Sequence, residues 1–353
     1  MRSTLVCGRF AAVLACAALA ATPALARSVA QFYKGRTISM LVPTSPGGIN
    51  DISARLVARY LPRYIPGHPA VAVHNEPGAG GLILANRMYN EIPKDGLTIG
   101  IVERATPLLA IQKDPNARFD PMRFTWLGSV SSFANDAYLL LVNSSSPVRT
   151  VADLKKPGVS IKIGGDQPGS TNLTFALIAK KALGLNVDVI RGYPGAAPMF
   201  VAMQSGELDG QIIGYGSVRA GQHALWYGGK LRPLIQFARR TRLPALKNVP
   251  TGRELAPNAA AKALIQFAEL PFFMALPFFA PPGLPPDRAK ALESAFMKVT
   301  RDPRFLKRAK ALHLDISPVD GAGVRAVLAK AAATPPGVIA QYSAIVGQGP
   351  KRK

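Results

Sequence analysis

The chain has 353 residues, with 43 Lys and Arg against 20 Asp and Glu, a net charge of +23. That length favours two domains over one growing core; the charge attracts anions, but the basic residues are dispersed and no recognition-helix or zinc-finger pattern gathers them, so nucleic acid is not an expected partner. The two cysteines, Cys7 and Cys16, lie near the N-terminus, which leaves the rest without a disulfide, a thiol nucleophile or a thiolate metal site.

Arg2 and Arg9 flank the start of an apolar run, 10–21, and Ala24-Leu25-Ala26 has the small-x-small pattern of a cleavage site. The run is shorter than the ~20 residues of a membrane span. Residues 1–26 are therefore expected to be an export signal cleaved near Ala26, which places the mature protein in the periplasm. A retained anchor and lipoprotein processing at Cys16 are the rival readings.

Beyond the leader, short apolar runs alternate with helical patterns. Strands are expected at 37–42, 71–74 and 98–102, with helices at 51–61 and 82–89 between them. This is the rhythm of an open parallel sheet. It restarts after Trp126 with strands at 137–142, 160–164, 187–191, 208–213 and 231–237. A short helix at 151–154 and longer ones at 171–183 and 196–205 intervene. The run 270–282 is apolar but broken by four prolines, and reads as buried strand and loop. The final third is helical, at 287–300, 303–312 and 323–330, and is expected to pack back onto the first domain. The expected division is a discontinuous first lobe, 27–131 with 237–353, and a second lobe, 132–236.

Four strand-to-helix turns supply candidate ligand contacts. The first offers Thr44, Ser45, Gly47, Gly48, Asn50 and Asp51; Asp51 either caps the next helix or meets a ligand. The second offers Ala79, Gly80 and Gly81. The third offers Gly169, Ser170, Thr171 and Asn172, and the fourth Tyr193, Gly195 and Ala196. Glycines let a ligand approach the backbone, and N–H groups clustered at helix starts favour an anion. Each turn also has a purely structural reading, as a tight connection or a helix cap.

Catalytic patterns are absent. His68, His74, His223 and His313 are scattered without nearby carboxylates. There is no dinucleotide fingerprint, phosphate loop or nucleophile elbow. No cofactor, metal or enzymatic activity is expected, and a monomer is.

These residues resemble the periplasmic solute receptors of tripartite tricarboxylate transporters. The resemblance runs from Phe32-Tyr33-Lys34-Gly35 through Pro43-Thr44-Ser45-Pro46-Gly47-Gly48 and Asn75-Glu76-Pro77-Gly78-Ala79-Gly80-Gly81. It continues at Pro93-Lys94-Asp95-Gly96 and Ala280-Pro281-Pro282-Gly283. It implies an α/β, two-lobed type II periplasmic binding-protein fold with the ligand cleft between the lobes. It also implies capture of a small carboxylate and delivery to a membrane permease, with the ligand loops at the four turns named above. The second lobe departs from the pattern at Asp166-Gln167-Pro168-Gly169, at Asn172 and at Arg191-Gly192-Tyr193-Pro194. An acidic residue expected after Gln211-Ile212 is replaced by Ile213, or shifted to Asp209, which disfavours amino acids. The alternatives are a secreted α/β enzyme acting on a small anion and a carboxylate sensor partner.

Overall fold

The computed structural model describes residues 28–166, 170–193 and 195–347. The expected leader and its cleavage site lie outside these residues.

The chain opens on α1 (Val29–Tyr33), where the Ser28 hydroxyl accepts from the Gln31 N–H and the Gln31 side chain accepts from the Ser28 N–H. There follow β1 (Thr37–Val42), α2 (Ile49–Tyr60), β2 (Ala70–Asn75), α3 (Leu82–Asn90), β3 (Thr98–Ile101), α4 (Thr106–Ile111) and β4 (Thr125–Ser129). The chain then builds a second sheet. Its elements are β5 (Tyr138–Asn143), β6 (Ile161–Gly165), α5 (Thr171–Lys181), β7 (Val187–Arg191), α6 (Ala196–Gln204), β8 (Gly210–Gly214), α7 (Tyr215–Gly221), α8 (His223–Tyr227) and β9 (Leu231–Phe237). After α9 (Ala259–Glu269) it returns through β10 (Pro277–Ala280), α10 (Pro286–Val299), α11 (Pro303–Ala311), β11 (Val319–Asp320) and α12 (Gly321–Ala332), and ends on α13 (Pro336–Val346).

The first sheet has the order β11-β4-β10-β3-β1-β2 and the second β7-β6-β8-β5-β9. The expected parallel pairing holds for β1 with β2 and β3, and for β6 with β7 and β8. Elsewhere it is corrected: β10 runs antiparallel to β3 and β4, and β5 antiparallel to β8 and β9. β10 lies within the proline-broken apolar run 270–282, and all four of its residues are buried; the start of the run, Leu270–Met274, is a 3-10 helix rather than strand or loop.

Each sheet is covered on both faces. Val57, Leu292, Phe296 and Phe305 cover one face of the first sheet, and Leu84, Trp126, Phe279 and Leu328 fill the other. Trp126 stacks on Phe279 at 5.7 Å, and burying a side chain of this kind contributes roughly 1.5–3 kcal/mol. In the second lobe Ile163, Phe175 and Ile212 pack with Leu264 and Ile265 of α9 and Ile345 of α13. Met199, Phe200, Met203 and Val218 cover its other face. α9 and the end of α13 therefore pack on the second sheet, although the expected division groups them with the first.

Side-chain caps start several helices. Asn258 accepts from the Ala261 N–H at 2.9 Å to start α9, and Asp320 from the Gly323 N–H at 2.7 Å to start α12. The chain crosses between the sheets at 130–137 and 238–276. Each crossing contains a non-glycine residue with left-handed backbone, Phe133 (φ 59°) and Ala238 (φ 61°). The Arg239 guanidinium ties the two together by donating to the carbonyls of Phe133, Ala134 and Asp136.

Candidate functional site

The carboxyl ends of β1, β2 and β3 carry three loops of the first lobe, and those of β6 and β7 carry two of the second. Open sheets gather ligands at this edge. The loops approach each other there: Arg104, after β3, donates from Nη2 to Thr171 Oγ1, the first residue of α5, at 3.1 Å.

The first loop is held from behind. The Asp51 carboxylate, nearly inaccessible, accepts from the Gly47 N–H, Arg55 Nε and Asn75 Nδ2, each at 2.9 Å. Asn75 Nδ2 also donates to the Thr44 carbonyl at 2.9 Å, and Arg55 Nη2 to Asn75 Oδ1 at 2.8 Å. Asp51 thus shapes the loop rather than facing the cleft. Burial would raise its pKa, but the bonds from Arg55, Gly47 and Asn75 outweigh that and hold it below the usual value. The cap of α2 is Gly48, without a side-chain bond. Asn50 is buried and donates to Glu103 Oε1 at 2.5 Å. Ser45, Gly47 and Gly48 are exposed at the loop tip. Thr44 Oγ1 is buried with no hydrogen-bond partner among the described residues.

The second loop has three successive left-handed residues: Ala79 (φ 45°), Gly80 (φ 61°) and Gly81 (φ 85°). Glycine is required at 81. A Cβ there would sit 3.2 Å from Pro43 Cβ and 3.3 Å from Thr106 Oγ1, so this loop rests directly on the first. Ala79 and Gly80 are exposed, and the Gly80 carbonyl accepts from Thr106 Oγ1 at 2.9 Å. Glu76 forms an ion pair with Arg87 of α3, which anchors the turn to its helix.

In the second lobe, Ser170 caps α5 weakly, accepting from the Leu173 N–H at 3.4 Å, and donates to Asn172 Oδ1 at 2.7 Å. Asn172 Oδ1 also accepts from the N–H groups of Leu173 and Asp166, at 2.6 and 3.3 Å. Ser170 and Asn172 thus form a knot within the loop, while the Thr171 hydroxyl faces the other lobe. Gly169 lies outside the described residues. Gly195 (φ 143°) caps α6 with nothing within 4 Å of a notional Cβ, and Ala196 is the first helical residue. Tyr193, expected at the cleft wall, is held along α6. Its hydroxyl donates to Glu207 Oε1 at 2.5 Å, past the far end of α6, and its ring packs with the Met199 and Phe200 cluster. That hydrogen bond, with burial, pushes its pKa up to about 12.

The sequence reading missed Glu103 and Arg104. Burial raises the Glu103 pKa, opposed by the Arg104 charge and the Asn50 bond. The Arg104 guanidinium lies 4.5 Å from the centre of the Phe272 ring, which packs in turn against Phe133, Tyr138 and Phe175. The available signal was position: two charged residues immediately after a strand of the same parallel set. Asp209, the suggested shifted acid, accepts from the Lys162 N–H at 2.7 Å before β8 begins, at the end away from these loops. Among the described residues, no group of His, Cys, Asp and Glu could hold a metal ion, and no helix is long and apolar enough to cross a membrane.

Residues 54–331 match the family described as TctC, tripartite tricarboxylate transporter family receptor. The chain is similar to a UPF0065 protein of Bordetella pertussis, 27% identical over 301 residues that cover 82% of this chain and 84% of the relative. Among solved structures it is similar to a TctC solute binding protein from Polaromonas, with TM-score 0.65, 20% identity, and coverage of 88% of this chain and 99% of that one. It is also similar to MatC from Rhodopseudomonas palustris with bound malate, with TM-score 0.56, 21% identity and the same coverages, 88% and 99%.

Proposed function

The chain belongs to the tripartite tricarboxylate transporter receptor family, non-catalytic periplasmic receptors with a two-lobed type II binding-protein fold, and from that premise we propose that it captures a small carboxylate between its lobes and delivers it to a membrane permease. The observation that carries this reading is the set of strand-end loops, divided between the two sheets and facing one another across the Arg104–Thr171 contact. The N–H groups of Ser45, Gly48, Ala79 and Gly80 at the loop tips, with those at the starts of α5 and α6, suit a carboxylate, which accepts several charge-assisted bonds at once. The malate in the similar MatC structure is consistent with such a ligand.

The proposed division into lobes puts the hinge in the two crossings. A ligand held by both lobes favours the closed form through its greater affinity for it. Titration calorimetry of the purified protein with mono-, di- and tricarboxylates tests the reading. Saturable one-to-one binding and release of unchanged acid are expected. Binding of another ligand class alone would reject the carboxylate, and turnover of the acid would reject the receptor in favour of a secreted enzyme.

A further inference from the structure

We propose that Arg104 is the anchor for a carboxylate of the bound solute, holding it against the N-terminus of α5 and so setting a requirement for negative charge at that end of the ligand. This inference rests on the carboxylate-receptor reading and adds to it a named side chain from the loop after β3.

The first argument is position. Arg104 follows β3, between α3 and α4 in the chain, at the same sheet edge as the glycine tips, and reaches the opposite lobe. The second is unsatisfied chemistry. A guanidinium carries five N–H donors, and among the described residues Thr171 Oγ1 is its only acceptor. The group is half-buried against Phe272, which removes part of its hydration. Among the described residues it makes no ion pair: Glu103, whose burial-raised pKa the Arg104 charge lowers, bonds to Asn50 instead.

The third argument is electrostatic. α5 has 11 residues, and its N-terminus presents partial positive charge. A guanidinium brought to that end meets charge of its own sign. An anion placed between them turns the repulsion into two attractions. A carboxylate fits, because it takes two parallel N–H bonds from arginine and a further bond from a hydroxyl. Thr171 serves in both states: its oxygen accepts from Arg104 as seen here, and its O–H is free to donate to a ligand oxygen. The same arrangement disfavours an amine at this end.

The test is calorimetry on the full protein with succinate, malate and adipate, and with the diamide of each, which carries no carboxylate, using the unaltered chain, Arg104→Gln and Arg104→Lys. For the acid that binds most tightly, Arg104→Gln is expected to weaken binding about 10- to 100-fold. Arg104→Lys is expected to recover part of that loss. The preference for acid over diamide should shrink in Arg104→Gln, an effect that a merely structural role would not produce. The ligand-free melting temperatures should agree within about 2 °C. Equal affinity in Arg104→Gln and the unaltered chain overturns the anchor. So does a loss of the same factor for acid and amide, which marks a positioning role. If Arg104→Gln melts early, Arg104→Met, which keeps an apolar stem against Phe272 and removes the charge, decides by the same criterion. Failure of the unaltered chain to bind any of the acids removes the carboxylate reading, and the anchor with it.

Discussion

Replacing Arg253 by methionine keeps the apolar stem and deletes the partner of a buried acid. Glu269, at the end of α9, is 0% exposed and pairs with Arg253, which is 13% exposed. It also accepts from the Ala238 N–H at 2.9 Å, in the second crossing between the sheets. Burial pushes the Glu269 pKa up to about 7, while Arg253 and the backbone N–H groups of Ala238 and Arg239 pull it down. Without the guanidinium, the ionised carboxylate has no compensating charge, and the full loss, about 3–5 kcal/mol, is reached where the variant's folded state must hold it ionised. The pH dependence follows from the raised pKa. The unfolded carboxyl titrates near ~4.3 and the folded one higher still in the variant, so the folded state favours the protonated form. Both chains share the unfolded value, so the pH-dependent part of the loss sets in above the unaltered chain's folded value of about 7, grows by up to about 1.4 kcal/mol per pH unit, and is complete above the variant's higher folded value. Urea unfolding followed by circular dichroism at pH 5 and pH 8 measures it. A loss under about 1 kcal/mol at pH 8, or an equal loss at both pH values, would refute the argument.

Asp51→Ala should cost about 1–3 kcal/mol, since Gly47, Arg55 and Asn75 lose their shared acceptor. Because the folded pKa of Asp51 lies below the unfolded value, that contribution exists above the usual carboxylate range and is lost as pH falls through the folded value. Chemical unfolding between pH 3 and 7 checks it, and a difference that widens toward acid contradicts it. Ser170→Ala should lower stability by up to about 1 kcal/mol through loss of the α5 cap, whereas Thr171→Val should alter carboxylate affinity with little change in melting. Equal loss of stability from both, with unchanged affinity, would make Thr171 a scaffold residue. Gly81→Ala should destabilise more than Gly80→Ala. Both take positive φ, but only Gly81 has neighbours, Pro43 and Thr106, where the methyl would go. Equal melting temperatures for the two variants would show that this contact does not govern the second loop.

β1 and β2 were legible because each is a run with β-branched residues that leads into a helix across a glycine turn. β7 and β9 carry the same limits in sequence and structure, Val187–Arg191 and Leu231–Phe237. β11 was not legible, because two residues carry no periodicity. β4 was hidden because its first-lobe pairing with β10 joins segments more than 140 residues apart. The direction of β10 likewise depends on the return from the second lobe, which no local pattern encodes. Within the candidate site, the backbone features were readable: glycines at 47, 80 and 81 do take positive φ. Side-chain direction was not. Asp51 and Asn172 have the chemistry of ligand contacts, yet their oxygens are taken up by neighbouring N–H groups. Tyr193 turns toward Glu207, a partner 14 positions away that the turn itself does not announce. Arg104 becomes a candidate only once Thr171 is seen opposite it.

The most direct test of the account is a crystal structure of the protein saturated with its tightest-binding carboxylate. One ligand per chain is expected, its oxygens within hydrogen-bond reach of the N–H groups of Ser45, Gly48, Ala79 or Gly80 on one side and of the first turn of α5 or α6 on the other. A ligand seated instead in the ~640 Å³ cavity beside the crossings, between Phe133, Arg239, Phe273 and Lys330, would contradict it. So would a ligand touching only one lobe.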